Sequence, residues 1–353
     1  HILMTQMTAN KGVKEYGDRA ISAIIKEYDQ LDQKNAFKPR FFNSMTNEER
    51  SRALRSITLI KEKRSGVIKG RTVADGRPQR KYKASEDVHS PTVSTEGLMT
   101  TLAIDAKENR YVITADVEGA YLHADMDDFT LLKMEGESVD IMCGVSEEYK
   151  KYVCYENGKK VLYLKLLKAL YGCVKSALLW YELFSSTLQV MGFELNPYDT
   201  CVANKTIDGK QCTIAWYVDD NKISHVNDKV VTHMIEKIED KFGKMSVTRG
   251  KEHVFLGMHI TFHDNGTVSI KMKEYLKEAI ADFGKDIIRS AATPAKKNLF
   301  DINKDSDKLS DERADTFHRV VAKLLYVSKR SRLDIQLAIA FLCTRVSCST
   351  EQD

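Results

Sequence analysis

Cys212-Thr-Ile-Ala-Trp-Tyr-Val-Asp-Asp-Asn221 is a run of strand-forming residues that ends in two adjacent carboxylates, Asp219 and Asp220. Five of the six residues from Ile214 to Asp219 are apolar or aromatic, and the β-branched and aromatic types among them favour a buried strand. Two acids at the end of such a strand repel each other and lose hydration, an arrangement that is costly unless a cation neutralises them. A divalent metal ion is the natural candidate. On these residues alone, a polar hairpin turn at Asp219-Asp220-Asn221 is the alternative.

A second run, Arg110-Tyr-Val-Ile-Thr-Ala-Asp-Val117, has the same character and carries Asp116 near its end. If the two strands lie side by side, Asp116 meets Asp219 and Asp220. The result is a set of hard oxygen ligands suited to Mg2+ or Mn2+. Such a set fits a two-metal displacement, and hence nucleotidyl transfer.

Composition sets the bounds. At 353 residues the chain is long enough for about two subdomains. With 54 basic against 50 acidic residues the net charge is only +4, so any basic surface is local. Seven cysteines without a CxxC pair point to reduced thiols in the cytosol or nucleus and away from a disulfide framework or a zinc site. His253, His259 and His263 lack matching carboxylate or thiolate spacing and are not read as a metal cluster. No apolar run reaches the roughly 18 residues of a membrane span, and the N-terminal stretch, which begins with His1, has no signal-peptide pattern.

Along the chain, helical spacing predicts a first helix from about Tyr16 to Asp32. Thr46 with Glu49 forms a capping-box signature, opening a helix expected to run through Leu54, Ile57 and Ile60. Lys61, Lys63, Arg64, Lys69, Arg71, Arg77, Arg80, Lys81 and Lys83 then form a basic segment on short strands and turns, readable as a phosphate-binding surface or as a solvated charge run. Glu96 to Lys107 reads as a helix leading into the Asp116 strand, and Asp125, Asp127 and Asp128 as a solvated loop. A hairpin is expected around Asn157-Gly158, and a helix directly after Gly172 whose free N–H groups would face a base or phosphate. After the Asp219 hairpin come a helix over Lys229 to Phe242, strands Val254 to Ile260 and Thr267 to Ile270, and a helix over Lys273 to Phe283. A polar linker over about Thr293 to Arg313 precedes a last helical run from Phe317 to Val346 with a break near Ser331.

Seven stretches in this order resemble the reverse transcriptase of copia-class long-terminal-repeat retrotransposons. They are Glu62-Lys-Arg-Ser-Gly-Val-Ile-Lys-Gly-Arg-Thr-Val-Ala-Asp-Gly76, Ser90-Pro-Thr-Val93, Ala115-Asp-Val-Glu-Gly-Ala-Tyr121, Leu167-Lys-Ala-Leu-Tyr-Gly172, Tyr217-Val-Asp-Asp220, Phe255-Leu-Gly257 and Lys323-Leu-Leu-Tyr326. The resemblance covers nearly the whole chain. It implies an α+β right-hand polymerase of fingers, palm and thumb, with an antiparallel palm sheet backed by helices. The implied boundaries are 1–68 for an N-terminal helical lead-in, 69–270 for fingers and palm, 271–316 for thumb and linker, and 317–353 for the start of a connection region. The RNase H domain is expected beyond Asp353.

What the resemblance implies chemically is RNA-directed DNA synthesis from dNTPs on an RNA or DNA template with a primer, using Mg2+ or Mn2+. Asp116, Asp219 and Asp220 would be both catalytic acids and metal ligands. Tyr121 would exclude a ribose 2′-hydroxyl, Lys69 and Arg71 would hold the triphosphate, and Gly257 would lie in a primer-gripping hairpin. The segment would come from a polyprotein with protease, integrase and RNase H, and would work in cytoplasmic virus-like particles and the nucleus. Three departures stand out. Lys175 and Leu178 replace the Gln and Arg that usually precede Trp180, so that Lys175 takes a substrate-facing position. Asn221-Lys222 replaces an apolar pair, and Ser331-Arg-Leu-Asp334 replaces a Thr-Arg-Pro-Asp pattern. A catalytically decayed copy that only binds nucleic acid is the competing reading; a nucleotidyl cyclase is disfavoured by the basic segment and the Tyr-Gly helix.

Overall fold

The computed structural model describes residues 6–62, 66–81, 88–284, 291–295 and 297–353. Lys63, Arg64 and Lys83 of the basic segment, His1, and position 296 of the expected linker lie outside them. In chain order the elements are β1 (Met7–Thr8), α1 (Ala9–Tyr16), α2 (Asp18–Gln33), β2 (Phe37–Arg40), α3 (Asn47–Ser51), β3 (Leu54–Glu62) and β4 (Ile68–Ala74). Next come α4 (Thr95–Lys107), β5 (Tyr111–Val117), β6 (Leu131–Glu135), α5 (Glu137–Val145), β7 (Cys154–Glu156), β8 (Lys159–Leu166) and α6 (Ser176–Val190). The rest are β9 (Glu194–Asn196), β10 (Asp199–Ile207), β11 (Lys210–Tyr217), β12 (Asp220–His225), α7 (Asp228–Phe242), β13 (Met245–Arg249), β14 (Glu252–Phe255), β15 (Met258–Phe262), β16 (Val268–Lys271), α8 (Lys273–Phe283), α9 (Asp311–Ser328) and α10 (Gln336–Arg345). The fold is α+β; β3 pairs with β6 in parallel, while β3 with β1 and β4, β8 with β2, β6 and β7, β11 with β10 and β12, β12 with β5, and β15 with β14 and β16 are antiparallel.

Two compact units interleave along the chain: residues 1–92, 117–195 and 241–244 form the first, and residues 93–116, 196–240 and 245–353 the second. The linear boundaries expected from sequence do not follow this division. Position 68/69 falls inside β4, whose Lys69 pairs with Lys61 of β3.

In the first unit a seven-stranded sheet runs β1-β3-β6-β8-β2, with β4 beside β3 and β7 beside β8. The apolar stripe of α2, Ala20, Ile24, Tyr28 and Leu31, is buried with Leu54, Ile60, Leu132, Met134, Leu162 and Leu164 of the sheet. The Tyr28 hydroxyl is satisfied by Thr58 Oγ1 at 2.9 Å. The capping box at Thr46 is present, with Thr46 Oγ1 accepting from Glu49 N at 3.1 Å and Glu49 Oε2 accepting from Thr46 N at 2.7 Å. The helix it opens stops at Ser51, however, and Leu54–Glu62 is strand. Leu54, Ile57 and Ile60 recur at helical spacing, but Ile57, Thr58 and Ile60 are β-branched, the buried positions are Leu54, Thr58 and Ile60, and pairing with β1, β4 and β6 decides the matter.

The second unit contains a six-stranded sheet, β13-β5-β12-β11-β10-β9, and a three-stranded sheet, β14-β15-β16. Helix α4 begins at the predicted place, with Ser94 Oγ accepting from Gly97 N at 2.9 Å. The run Val254–Ile260 is not one strand. It folds back between Phe255 and Met258, across Leu256 and Gly257 at φ +49° and +75°. Leucine at that position gives no turn signal, which is why only Gly257 marked the bend in sequence. The helix expected from about Tyr16 to Asp32 is α2, and Gly17, φ +55°, separates it from α1, which the apolar spacing did not announce. The terminal helical run is interrupted between α9 and α10 where expected. None of the described helices is long and apolar enough to cross a membrane.

Gly172 is the tightest backbone approach in the first unit. At φ +92° a β-carbon there would sit 2.0 Å from the Ala74 carbonyl oxygen, and one on Gly76 would sit 2.1 Å from the Gly172 carbonyl oxygen. Gly172→Ala is expected to destabilise the protein by about 2–4 kcal/mol, combining a left-handed backbone with a displaced neighbour. Urea denaturation reads this directly; a midpoint unchanged from the parent would show that the approach is slack.

Candidate active site

The acids of the second unit are brought together by strand register. In the β5–β12 ladder Asp220 lies directly opposite Asp116, followed by Asn221 with Ala115, Lys222 with Thr114, and Ser224 with Val112. On the other side of β12, Tyr217 pairs with Asp220, leaving Val218 and Asp219 as a two-residue turn. The predicted strand therefore ends at Tyr217. Asp219 sits in the turn and Asp220 starts the next strand.

Two features of this turn are unusual. Val218 has φ +57°, a left-handed backbone that a β-branched residue adopts at a cost of order 1–3 kcal/mol. Asn221, fully buried, donates from Nδ2 to the Asp219 carbonyl oxygen at 2.8 Å, bracing the turn from the strand behind it.

The carboxylates are coupled electrostatically. Asp220 is pushed up to about 6, first by burial and then by the charges of Asp219 and Asp116. Like charges directly opposed in a sheet destabilise it, and a proton shared into the cluster relieves that repulsion. No group of three or more His, Cys, Asp or Glu side chains stands close enough together to cage a metal ion among the described residues. Asp116, Asp219 and Asp220 are therefore neighbours through the ladder and its turn, and do not close into a three-carboxylate cage.

Behind the acids lies an ion pair that sequence reading did not foresee. Asn221-Lys222 stood out in the sequence only as the replacement of an apolar pair. Lys222 Nζ pairs with Asp105 Oδ2 of α4, both side chains being fully buried. Arg110 completes the network, 3.7 Å from Asp105 Oδ1 and donating to Thr213 Oγ1 at 3.0 Å and Glu108 Oε2 at 2.9 Å. Asp105 in a helix otherwise read from its apolar spacing was the available signal. Thr114, beside Lys222, contacts His253 Nδ1 at 3.1 Å, and His253 Nε2 donates to the Gly250 carbonyl at 2.9 Å. His263 Nε2 is 2.8 Å from Ser269 Oγ. Gly257 sits exposed in its turn, and Tyr326 Oη donates to the carbonyl of the adjacent Leu256 at 2.7 Å.

The remaining predicted residues belong to the first unit. Lys69 and Arg71 lie two apart on β4, and Lys69 is exposed. Both pull against the burial that raises Glu27, whose Oε1 accepts from Thr72 N at 2.7 Å. The Arg71 guanidinium lies 4.2 Å from the Tyr171 ring centre, and the Tyr121 ring lies 4.4 Å from that same ring. Tyr171 escaped sequence reading as a site residue, being taken as part of a motif and not as a side chain with contacts. Lys175 pairs with Asp127, whose side chain is exposed as expected for the loop. Helix α6 starts at Ser176 and not directly after Gly172.

Comparison with known proteins adds an independent line. Residues 46–297 match the family model described as reverse transcriptase (RNA-dependent DNA polymerase). The Transposon Ty1-DR5 Gag-Pol polyprotein of Saccharomyces cerevisiae is 24% identical over 98% of this chain and 19% of the polyprotein. The Transposon TyH3 Gag-Pol polyprotein of Saccharomyces cerevisiae has the same identity and the same coverage of each chain. The chain thus spans about a fifth of the length of the curated relatives it matches. Among solved structures, a foamy viral protease-reverse transcriptase in complex with double-stranded DNA aligns with 92% of this chain and 47% of its own, at 14% identity and a TM-score of 0.40.

The raised Asp220 carboxyl gives a pH signature. Its ordinary value is 3.8 and its folded value about 6, so between these the folded state binds more protons than the unfolded one and stability falls as pH rises. In divalent-free buffer Asp220→Asn should therefore raise the melting temperature at pH 7.5, with the gain vanishing by about pH 4. Equal gains at both pH values would mean that charge repulsion is not the cause.

Proposed function

Since the chain belongs to the reverse transcriptase (RNA-dependent DNA polymerase) family, with relatives among copia-type Gag-Pol polyproteins, we propose that it copies RNA into DNA, with Asp116, Asp219 and Asp220 as its catalytic acids. The observation that carries this reading is the direct pairing of Asp116 with Asp220 beside the Asp219 turn, with Asp220 raised first by burial and then by its two neighbours. An all-carboxylate donor set is the hard-oxygen type that suits Mg2+ or Mn2+, and the affinity of Asp220 for a proton marks negative charge that a divalent cation would balance. Asp116 and Asp219 would be the principal ligands and Asp220 the third acid. Bound divalent ions would supply activation of the primer 3′-hydroxyl and stabilisation of the leaving oxygens.

The chain's own residues then have distinct tasks. Asn221 and the strained Val218 fix the backbone from which Asp219 projects. Lys69 and Arg71 bind the triphosphate of the incoming dNTP, Arg71 with a planar donor fork suited to phosphate oxygens. Tyr121, five residues beyond Asp116, lies against the sugar and rejects a ribose. The turn at Gly257 contacts the primer strand, and its exposed backbone, left-handed at Gly257, suits a close approach. In this reading the six-stranded sheet is the palm. Protease, integrase and RNase H are companion products of a longer polyprotein. Lys175, paired with Asp127, keeps its charge at the position where the family has an amide.

Primer extension on an oligonucleotide-primed RNA template tests the assignment. Asp116→Asn or Asp219→Asn should lower Mg2+-dependent dNTP incorporation by at least about 10²-fold, with thermal melting preserved. Activity within a few-fold of the parent for either variant would remove that acid from the catalytic set. Tyr121→Ala should gain ribonucleotide incorporation, its discrimination against rNTP falling roughly ten- to a hundred-fold, as expected for relief of a clash worth on the order of 1–3 kcal/mol. Loss of all incorporation with the preference unchanged would make Tyr121 a packing residue.

A further inference from the structure

We infer that Tyr171 is a positioning residue that fixes Arg71 and Tyr121 together, so that triphosphate binding and sugar selection share one support. The inference rests on the reading of Arg71 as a triphosphate contact and of Tyr121 as the ring against the sugar. It concerns the first unit alone, where all three side chains lie.

The Arg71 guanidinium carbon is 4.2 Å from the Tyr171 ring centre, within the range in which a cation is held by the negative face of an aromatic ring. The Tyr121 and Tyr171 ring centres are 4.4 Å apart with planes inclined at 47°. Each neighbour therefore loses rotamer freedom against the same ring. All three residues are partly exposed, which leaves edges of Arg71 and Tyr121 available to a ligand.

The support itself is pinned by backbone. Ala74 N, three residues past Arg71 on β4, donates to the Tyr171 carbonyl oxygen at 2.7 Å. The mutual approach of Gly172, Ala74 and Gly76 leaves no room for a β-carbon on either glycine. On the other side, the turn that carries Tyr121 is tied to the segment before Tyr171: Ala169 N donates to the Ala124 carbonyl, and Met126 N to the Leu167 carbonyl, each at 2.9 Å. Residues 167–172 are thus hydrogen-bonded both to the strand of Arg71 and to the turn of Tyr121. A tyrosine placed there touches both side chains as a consequence of the chain path.

This makes a prediction that neither contact makes alone. Tyr171→Leu should raise the dNTP KM and lower the dNTP-over-rNTP discrimination together, each by about three- to tenfold, the range of single aromatic and cation-ring contacts. Tyr171→Phe, which keeps the ring, should bring both back to within about twofold of the parent, and template-primer KM should stay constant throughout. In the Tyr171→Leu background, Arg71→Ala should raise the dNTP KM by a smaller factor than it does in the parent. A Tyr171→Leu protein that incorporates dNTPs with both parameters unchanged overturns the inference, as does a full, undiminished Arg71→Ala effect in that background. If Tyr171→Leu does not fold, Tyr171→Met replaces it and the same two ratios decide. Should Arg71→Ala and Tyr121→Ala leave their own parameters unchanged in the parent, the assignment of those two residues fails first. The stack alone fails if those two respond and Tyr171 does not.

Discussion

The antiparallel register between β5 and β12 sets one carboxylate directly opposite another, and much of the second unit follows from that opposition. A sheet pairs residues through backbone hydrogen bonds and takes no account of side-chain charge, so Asp116 and Asp220 are held together at an electrostatic cost. The surroundings limit that cost only in part: Asp220 stays partly exposed and retains its proton to about pH 6. A site kept short of neutrality in this way is predisposed to take up cations, because each bound positive charge removes a repulsion already present in the fold.

Four of the two-residue hairpin turns in the described residues allow an internal comparison. Asn157-Gly158 and Asp208-Gly209 use residues that accept a left-handed backbone readily, and both are ordinary surface turns. Val218-Asp219 and Leu256-Gly257 put a large apolar residue into the left-handed region instead. Each of these two has a brace the ordinary turns do not need in kind: Asn221 on the Asp219 carbonyl, and Tyr326 on the Leu256 carbonyl. Strain held by the surrounding structure is a feature of positions where backbone geometry matters more than local stability.

Sequence alone carried the reading a long way at the acids and much less far elsewhere. The Asp116 and Asp219 runs were legible because buried strands ending in charge are unusual, and the α4 and α7 helices because their apolar residues recur at helical spacing. The Leu54–Glu62 strand was misread because Leu54, Ile57 and Ile60 recur at helical spacing, whereas the positions it buries are Leu54, Thr58 and Ile60, and pairing with distant segments decides the strand. The Phe255-Met258 bend was expected from the resemblance, which puts Gly257 in a hairpin, but residue pattern alone gave one strand because Leu256 carries no turn signal. Neither the Lys222–Asp105 pair nor the Arg71, Tyr171 and Tyr121 contacts could be found by pattern, since they join residues far apart in the chain whose spacing encodes nothing.

The Lys222–Asp105 pair also bears on how such a chain can change. Removing one partner strands a charge in the interior at a cost of about 3–5 kcal/mol, whereas replacing both by apolar residues is often neutral or better. The two positions lie on different elements, Lys222 on β12 and Asp105 on α4, yet neither can drift alone. A lysine at position 222 and an apolar residue there are therefore separated by a barrier that single substitutions do not cross easily. The ion pair works as a historical lock: once both charges are in place, selection on fold stability keeps them, whether or not they contribute to the chemistry next door.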